Sequence, residues 1–385
     1  MKFEGYRRKN GNIGIRNHVL IFPTTICAST VAQMISSEVP GTVSVTHPHG
    51  CGHLGEEEEH MVRTMAGFCG HPNVAGVLLI GLGCELLTPE LIAGELKKAG
   101  QRMEAINIQA LGSTVDAVAR GKEIAHKLLS EAACAKRETV DISRLFVGTH
   151  CGGSDTMSGL TANPALGIAC DLLVAKGGTA MISETPEMLG AEHVLARRAA
   201  DDEVKKRIWE ITMAMEARVK AVGVDIRGHE PGPGNIEGGI STIEEKSLGS
   251  IRKGGTSTIM QVVRFAEKPS QRGLVIMDGP AHDVISDTGM IAAGAQMIVF
   301  TTGRGSPIGA PIAPVIKVSS NSAIYNHMKD NIDINAGVIL DAGLSIKDVG
   351  ERIFKEILEV ASGKLTKSEI QGHHEFAIHP IGPTV

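Results

Sequence analysis

Aromatic side chains are scarce in this chain: Phe, Tyr and Trp together make up 3% of it, with a single Trp, at position 209. A core with so few rings has to be filled by aliphatic side chains and Met. Clusters of basic residues are also missing. The formal net charge is -5 and no Lys/Arg run occurs, so the electrostatic footprint of a nucleic-acid binder is excluded. The first seventeen residues, MKFEGYRRKNGNIGIRN, lack the apolar stretch of a signal peptide, and no run is read as long enough to span a membrane. The seven cysteines (27, 51, 69, 84, 134, 151 and 170) are odd in number and scattered. A secreted disulfide framework is thereby excluded, and a reducing cytoplasm with thiols free for packing or ligation is expected.

What the chain does have is glycine, 46 of them, and a hydrophobic content of 42% spread over 385 residues. That length predicts two domains. From Val19 onward short apolar runs alternate with amphipathic stretches. Strands are predicted at 19–23, 43–46, 74–82 and 105–109, and helices at 28–38, 56–68, 89–99 and 113–135. The helix at 56 opens on four glutamates, which suits its N-terminal dipole, and Ser113 is the expected N-cap of the last. The pattern is that of βαβ units, so the fold class is α/β in two domains. Residues 1–138 form an N-terminal doubly wound parallel sheet, Rossmann-like, and 139–385 a larger α/β C-terminal domain. In the latter, strands are expected from Leu145 and at 178–183, 273–277, 297–301 and 315–318. Helices are expected at 164–175, 201–221 and 345–362, with a long Gly/Pro loop at 228–239.

Four cysteines fall directly after predicted strands: Cys27, Cys51, Cys84 and Cys151. Parallel strands end on one edge, so three of these thiols are expected along one crevice, and Cys151 would join them if the second domain faces it. Such a set would suit zinc, copper(I) or an iron site; each alone is equally readable as a small buried hydrophobe. Cys69, Cys134 and Cys170 lie on helices and read as packing residues. His47, His49 and His53 are candidate ligands or acid/base groups. Gly81-Leu82-Gly83 lacks the third glycine of a dinucleotide fingerprint, so nucleotide binding is unsupported. The Thr149–Asp155 stretch crowds His150, Cys151, Ser154 and Asp155 around two glycines. Other loops offer Glu184, Asn235, Glu237, Lys253, Asp278, Arg304, Ser306 and Asn321. Among these Arg304 suits a carboxylate clamp, and Lys253 an anion binder or a base.

These residues resemble a known family, the altronate/galactarate dehydratases of sugar-acid catabolism. The likeness runs through Gly5-Tyr6, Arg16-Asn17, Cys27, Thr46-His47, Gly50-Cys51-Gly52 and Gly81-Leu82-Gly83-Cys84-Glu85. It continues in Cys151-Gly152-Gly153-Ser154-Asp155, Ser183-Glu184-Thr185-Pro186, Pro233-Gly234-Asn235, Glu245-Lys246-Ser247-Leu248-Gly249, Thr301–Ser306 and Asp333-Ile334-Asn335. The resemblance implies a hydro-lyase that dehydrates a small sugar acid to a 2-keto-3-deoxy acid with ferrous iron, either mononuclear or in an iron–sulfur cluster. Cys27, Cys84 and Cys151, with Cys51 as a further candidate, are then the expected metal ligands. His47, His150, Asp155 and Lys253 are the expected catalytic groups, and Arg304, Ser306, Asn235 and Glu184 the substrate-binding ones. Long family members carry a small N-terminal SAF-type domain, so a separate small SAF-domain subunit is an expected partner. Self-association through an aliphatic face of the 345–362 helix is expected as well. Two rival readings stand beside this one: the large subunit of a sulfolactate sulfo-lyase, and a non-catalytic metal-binding assembly subunit.

Overall fold

The computed structural model describes residues 1–382. The chain opens with β1 (Lys2–Arg7), which turns through Gly11 and pairs antiparallel with β2 (Ile13–Gly14). Four parallel strands follow: β3 (His18–Pro23), β4 (Thr42–Ser44), β5 (Val74–Gly81) and β6 (Met103–Asn107), in the order β4-β3-β5-β6. Val19 to Phe22 are wholly buried, as a central strand covered by helices on both faces requires. The connecting helices are Ser29–Glu38, Glu56–Cys69, Pro89–Lys98 and Thr114–Ala133, and the Ser113 hydroxyl caps the last by accepting from the Asp116 amide at 3.0 Å. These elements match the sequence expectations to within two residues.

β7 (Glu138–Asp141) returns to pair antiparallel with β1. A three-stranded sheet therefore staples the opening segment to the chain's crossing between the two parallel sheets. Arg16 strengthens the staple. Its guanidinium forks onto Glu369 at 2.6 and 2.8 Å and also reaches the Val360 carbonyl at 3.0 Å.

The large sheet has seven parallel strands: β8 (Phe146–Cys151), β9 (Thr179–Ile182), β10 (Ile259–Val263), β11 (Gly273–Met277), β12 (Met297–Thr302), β13 (Val315–Ser319) and β14 (Ile334–Asn335). Their order is β10-β11-β9-β8-β12-β13-β14. Several elements here were not anticipated, among them one strand and two helices near the site. β10 is a short run after a Gly-rich turn, the polar helix Ile243–Ser250 buries Lys246 and Ser247, and the helix Asp283–Ala292 buries Ser286, Asp287 and Thr288 with its apolar residues. The 228–239 stretch, expected as open loop, contains a short helix, Pro233–Glu237, started by Pro233.

Three other expectations are corrected. The Ile346–Ala361 helix does not offer an aliphatic face for self-association. Its apolar residues Val349, Ile353, Phe354, Ile357 and Val360 are buried inside the chain, packed on the Ala162–Ala175 helix. One stretch, Thr156–Ala175, is apolar and long enough to pass as a membrane span by composition, but most of it is buried as a core helix. Cys134, read as a packing residue, is exposed, whereas Cys69 and Cys170 are buried.

The two parallel sheets share one apolar core. Leu20, Phe22, Met61 and Phe68 from the small sheet's layer pack with Met181, Met277, Met290 and Phe300 from the large one. The C-terminal tail crosses back over the junction. The Ile378 carbonyl meets His49 Nε2 at 3.2 Å, and the amides of Ile381 and Gly382 donate to Glu57 at 2.6 and 2.7 Å.

Candidate active site

Open parallel sheets bind ligands at the C-terminal ends of strands, where the strand order reverses direction. In the small sheet the reversal lies between β3 and β5, since β4 is added on one side of β3 and β5 on the other. The loops after β3, β4 and β5 carry Cys27, Cys51 and Cys84. They are bonded to one another: the Ile26 amide donates to the His49 carbonyl at 2.8 Å, and the Leu86 and Leu87 amides to the Gly50 carbonyl at 3.0 and 3.1 Å. Gly50 is required there, with φ +136°, because a Cβ would lie 2.4 Å from the Thr25 hydroxyl. Glu85 braces the Cys84 loop by accepting from the Leu82 and Gly83 amides at 3.0 and 2.6 Å and from the Thr24 hydroxyl at 3.1 Å. All three thiols are exposed. Thiols are donors that iron accepts, but among the described residues no three His, Cys, Asp or Glu side chains are placed close enough together to hold a metal ion.

His47, expected as a catalytic group, clips the loops after β3 and β4 together. Its Nε2 bonds the Pro23 carbonyl at 2.7 Å, so it carries the proton, and its Nδ1 accepts from the His49 amide at 3.3 Å. Burial holds its pKa down at about 4, so the ring is neutral and both nitrogens are engaged.

In the large sheet the reversal lies between β8 and β12. Gly152 N donates to the Thr301 carbonyl at 3.0 Å, and the Gly303 and Arg304 amides converge on the Gly153 carbonyl at 3.0 and 2.9 Å. Side chains of successive strand residues leave on opposite faces, so His150 and Cys151 serve two different surroundings.

On one face His150 is fully buried, with its ring stacked on Phe300 at a centroid distance of 4.7 Å. Its Nε2 is 3.1 Å from Asp283 Oδ1 and 3.4 Å from Glu184 Oε1, and its Nδ1 is 3.3 Å from Asp287 Oδ1. Burial would lower its pKa, but Glu184, Asp287 and Asp283 outweigh it and raise the value to about 9. His150 is therefore an imidazolium at neutral pH. Of the cluster, Asp283 alone is substantially open, at 37% of its side chain.

Glu184 follows β9 with φ +73°, a left-handed conformation that a non-glycine residue adopts only when its surroundings enforce it. Its Oε2 accepts from Lys253 Nζ at 2.6 Å. Burial raises its carboxyl above the usual range, assisted by Glu187 and opposed by His150 and Lys253. Lys253 is 1% exposed and also donates to Ser250 Oγ at 2.7 Å. Although burial works against its charge, Glu184 and Glu187 raise its pKa above the ordinary lysine value. In this network Lys253 is held as a cation. Glu187 and Lys246, which sequence reading missed as site residues, complete the network: Lys246 Nζ lies 3.2 Å from Glu187 and 2.6 Å from Glu230.

On the other face Cys151 Sγ lies 2.7 Å from Ser154 Oγ and accepts from Asn163 at 3.5 Å. It is buried, and burial raises its thiol pKa. It stands on the large sheet, apart from the bonded loops of the other three cysteines. A cavity of about 210 Å³ reaches this face, lined by Ser154, Asn163, Lys246, Ser250 and Arg252 among others.

Asp155, expected as catalytic, caps the turn that follows it. It accepts from the Ser158 amide and hydroxyl, both at 2.8 Å, from Ser320 Oγ at 2.7 Å and from Asn321 Nδ2 at 3.0 Å. Gly303 leaves it room, because a Cβ there would fall 2.2 Å from the Asp155 carboxyl carbon. Asn235 donates to the Ser154 carbonyl at 3.0 Å, and Arg304, half-exposed, pairs with Glu237 at 2.7 Å. The 232–239 stretch is thereby tied across the β8 and β12 loops. Ser306 is buried and accepts from the Ile308 amide at 3.3 Å. Its loop is held by Lys317, whose Nζ donates to the Pro307 and Ile308 carbonyls at 3.0 and 2.6 Å.

Comparison with known proteins accounts for both halves. Residues 5–133 match the D-galactarate dehydratase/altronate hydrolase second domain, and residues 142–384 the D-galactarate/altronate dehydratase C-terminal domain. The chain belongs to the galactarate/altronate dehydratase family. As a dehydratase-family member it is a lyase. It is 35% identical to altronate dehydratase of Bacillus subtilis (strain 168), over 100% of this chain and 78% of that protein. It is 38% identical to galactarate dehydratase (L-threo-forming) of Escherichia coli (strain K12), over 99% of this chain and 77% of that protein. It is 36% identical to the (2R)-sulfolactate sulfo-lyase subunit beta of Chromohalobacter salexigens, over 98% of this chain and 96% of that one.

Proposed function

We propose that this dehydratase-family chain removes water from a small polyhydroxy sugar acid to give a 2-keto-3-deoxy acid. The observation that carries the proposal is the buried pair at the ends of β8 and β9. Glu184, raised by burial, and His150, held as an imidazolium, lie 3.4 Å apart between fixed Lys253 and Asp283. The C2 proton of such an acid is very weakly acidic. A carboxylate held above its usual range is the better matched base, so Glu184 accepts that proton. His150 delivers its proton to the C3 hydroxyl as the C3–O bond breaks and water leaves. The enol that remains ketonises. Lys253 and Lys246 hold positive charge where the dianionic intermediate forms, and their burial keeps that field strong. Iron, held by Cys27, Cys51 and Cys84, would supply Lewis acidity toward a substrate oxygen when bound.

A panel of aldonates and aldarates, scored for 2-keto-3-deoxy acid and for deuterium exchange at C2, tests the reading. Glu184→Gln is expected to abolish exchange and to lower kcat by roughly 10²–10⁴-fold; undiminished exchange would remove Glu184 from the role. The sulfo-lyase relative, identical to the same degree as the dehydratases, favours a second reading in which the leaving group is sulfite. Sulfite release from sulfolactate with no dehydration of the panel selects it. That relative is named as a subunit, which supports a companion small chain for this protein too. Co-purification from the native host, with activity measured with and without the companion, tests that.

A further inference from the structure

We infer that the groove between the Ala162–Ala175, Ile243–Ser250 and Ile346–Ala361 helices is a binding site for a small acid with an apolar body, such as an aryl or medium-chain alkyl carboxylate. The groove encloses about 810 Å³, and its floor and walls include Pro164, Ile168, Val194, Leu248, Ile251 and Ile346. A concavity of this size with aliphatic walls and few polar groups suits a single organic ligand.

Its charged lining is Arg198, Arg252, Lys347 and Asp171, a net positive set. Among the described residues, neither Arg198 nor Arg252 makes an ion pair. Arg198 is half-buried and lines the groove; it donates through one Nη to the Gly255 carbonyl, its Nε is buried without an acceptor, and among the described residues its second Nη has no acceptor either, leaving that Nη for a ligand. A guanidinium taken partly out of water with a donor unspent is costly unless an anion completes it. Asp171, also on the groove, does not serve. Its two oxygens are used by the Thr256 amide and hydroxyl at 2.9 and 2.8 Å and by the Ser257 amide at 2.9 Å and hydroxyl at 2.5 Å. The net positive, otherwise aliphatic lining of the groove therefore selects an amphipathic anion over a neutral apolar compound or a small polar one.

The site is distinct from the cluster around Glu184 and His150 but shares a wall with it. Ile251 and Arg252 line the groove on the same Ile251–Gly254 turn that holds Lys253 against Glu184. The inference does not depend on which reaction that cluster catalyses, because its test reads binding alone.

The probes are the anion 1-anilinonaphthalene-8-sulfonate and its uncharged counterpart N-phenyl-1-naphthylamine, titrated against the full chain by fluorescence, with octanoate as competitor. One saturable anion site per chain that octanoate displaces is expected, with the neutral dye at least about tenfold weaker. Arg252→Gln and Arg198→Gln are each expected to weaken the anion about tenfold and leave the neutral dye unchanged. Ile346→Trp, which fills the groove, abolishes both. Arg252 makes no hydrogen bond through its side chain in the described structure, so its variant keeps the test clear if Arg198→Gln unfolds the turn. Equal binding of both dyes, or anion binding unchanged in both arginine variants, overturns the proposal. A dimer seen by sedimentation that dissociates in Ile346→Trp, with no dye bound by the wild type, would assign the groove to a second copy and overturn it as well.

Discussion

Replacing Lys253 by Met isolates the cost of the buried charge network. Nζ lies 2.6 Å from Glu184 Oε2 and 3.4 Å from Glu187 Oε2, with every partner at least 95% buried. At an effective dielectric near 20 the shorter contact alone is worth about 6 kcal/mol of attraction. Desolvation of the ions offsets much of that, and deleting one member of a buried pair typically costs about 3–5 kcal/mol because the other charge is stranded. Here the stranded charge is Glu184. Glu187 keeps Lys246 at 3.2 Å and Ser250 at 2.6 Å, whereas Glu184 keeps only His150 and a long contact from the Cys151 amide at 3.4 Å. The expected loss for Lys253→Met is therefore about 3–5 kcal/mol. Adding Glu184→Gln should return the double variant to within about 2 kcal/mol of wild type, since a neutral amide is far cheaper to bury. Urea unfolding, followed by Trp209 fluorescence and far-ultraviolet dichroism, measures both. A Lys253→Met chain as stable as wild type, or a double variant whose losses merely add, would refute the compensation argument.

Other outcomes follow from single residues. His47, His60 and His71 are held neutral by burial, with pKa values of about 4, 4 and 3. Because the unfolded chain binds protons there first, their stabilisation is complete above about pH 6.5 and is lost toward pH 4, at up to about 1.4 kcal/mol per pH unit for each. Stability that stays flat between pH 6.5 and 4 would contradict this. His150 has the opposite sign: its raised pKa of about 9 contributes stability below pH 6.5 that is lost as pH rises through 9. His47→Phe should cost about 1–3 kcal/mol by leaving the Pro23 carbonyl and His49 amide unpaired, and should leave the pH profile of kcat in place; a displaced profile would return His47 to the chemistry. Cys27→Ser, Cys51→Ser and Cys84→Ser should each lower iron content after anaerobic reconstitution, while Cys151→Ser retains it; iron lost only in Cys151→Ser would reverse the assignment. Gly303→Ala should destabilise by about 1–3 kcal/mol, because the new methyl meets the Asp155 carboxyl, and thermal unfolding would show no change if that contact were absent.

Much of the architecture was legible because it is local. Apolar runs the length of a strand, helices with Ser113 or a glutamate-rich start, and reactive residues placed just after strands are all determined within a few neighbouring positions. Cys27, Cys51 and Cys84 could be placed on one edge from that alone, since parallel strands all end on the same side. Glu187, Lys246, Asp283 and Asp287 could not be found in this way. They lie on turns and helices that no motif marks, and only the packing of those elements brings them to the His150 and Glu184 side chains.

The sequence by itself therefore determined the α/β class, the parallel sheets, most element boundaries and the glycine-rich strand ends where ligands bind. Tertiary structure decided which charges meet. The order β11-β9-β8-β12 sets β9 beside β8 although about thirty residues separate them, and it brings Glu184 onto His150 while β12 takes β8's other flank. It also divided two neighbours that looked alike in sequence: strand alternation sends His150 into a nest of carboxylates and Cys151 toward Ser154 and Asn163. Pairing across a sheet depends on contacts far apart in the chain, and the pKa of a buried group depends on every charge those contacts deliver, so neither quantity is a property of any local stretch of residues.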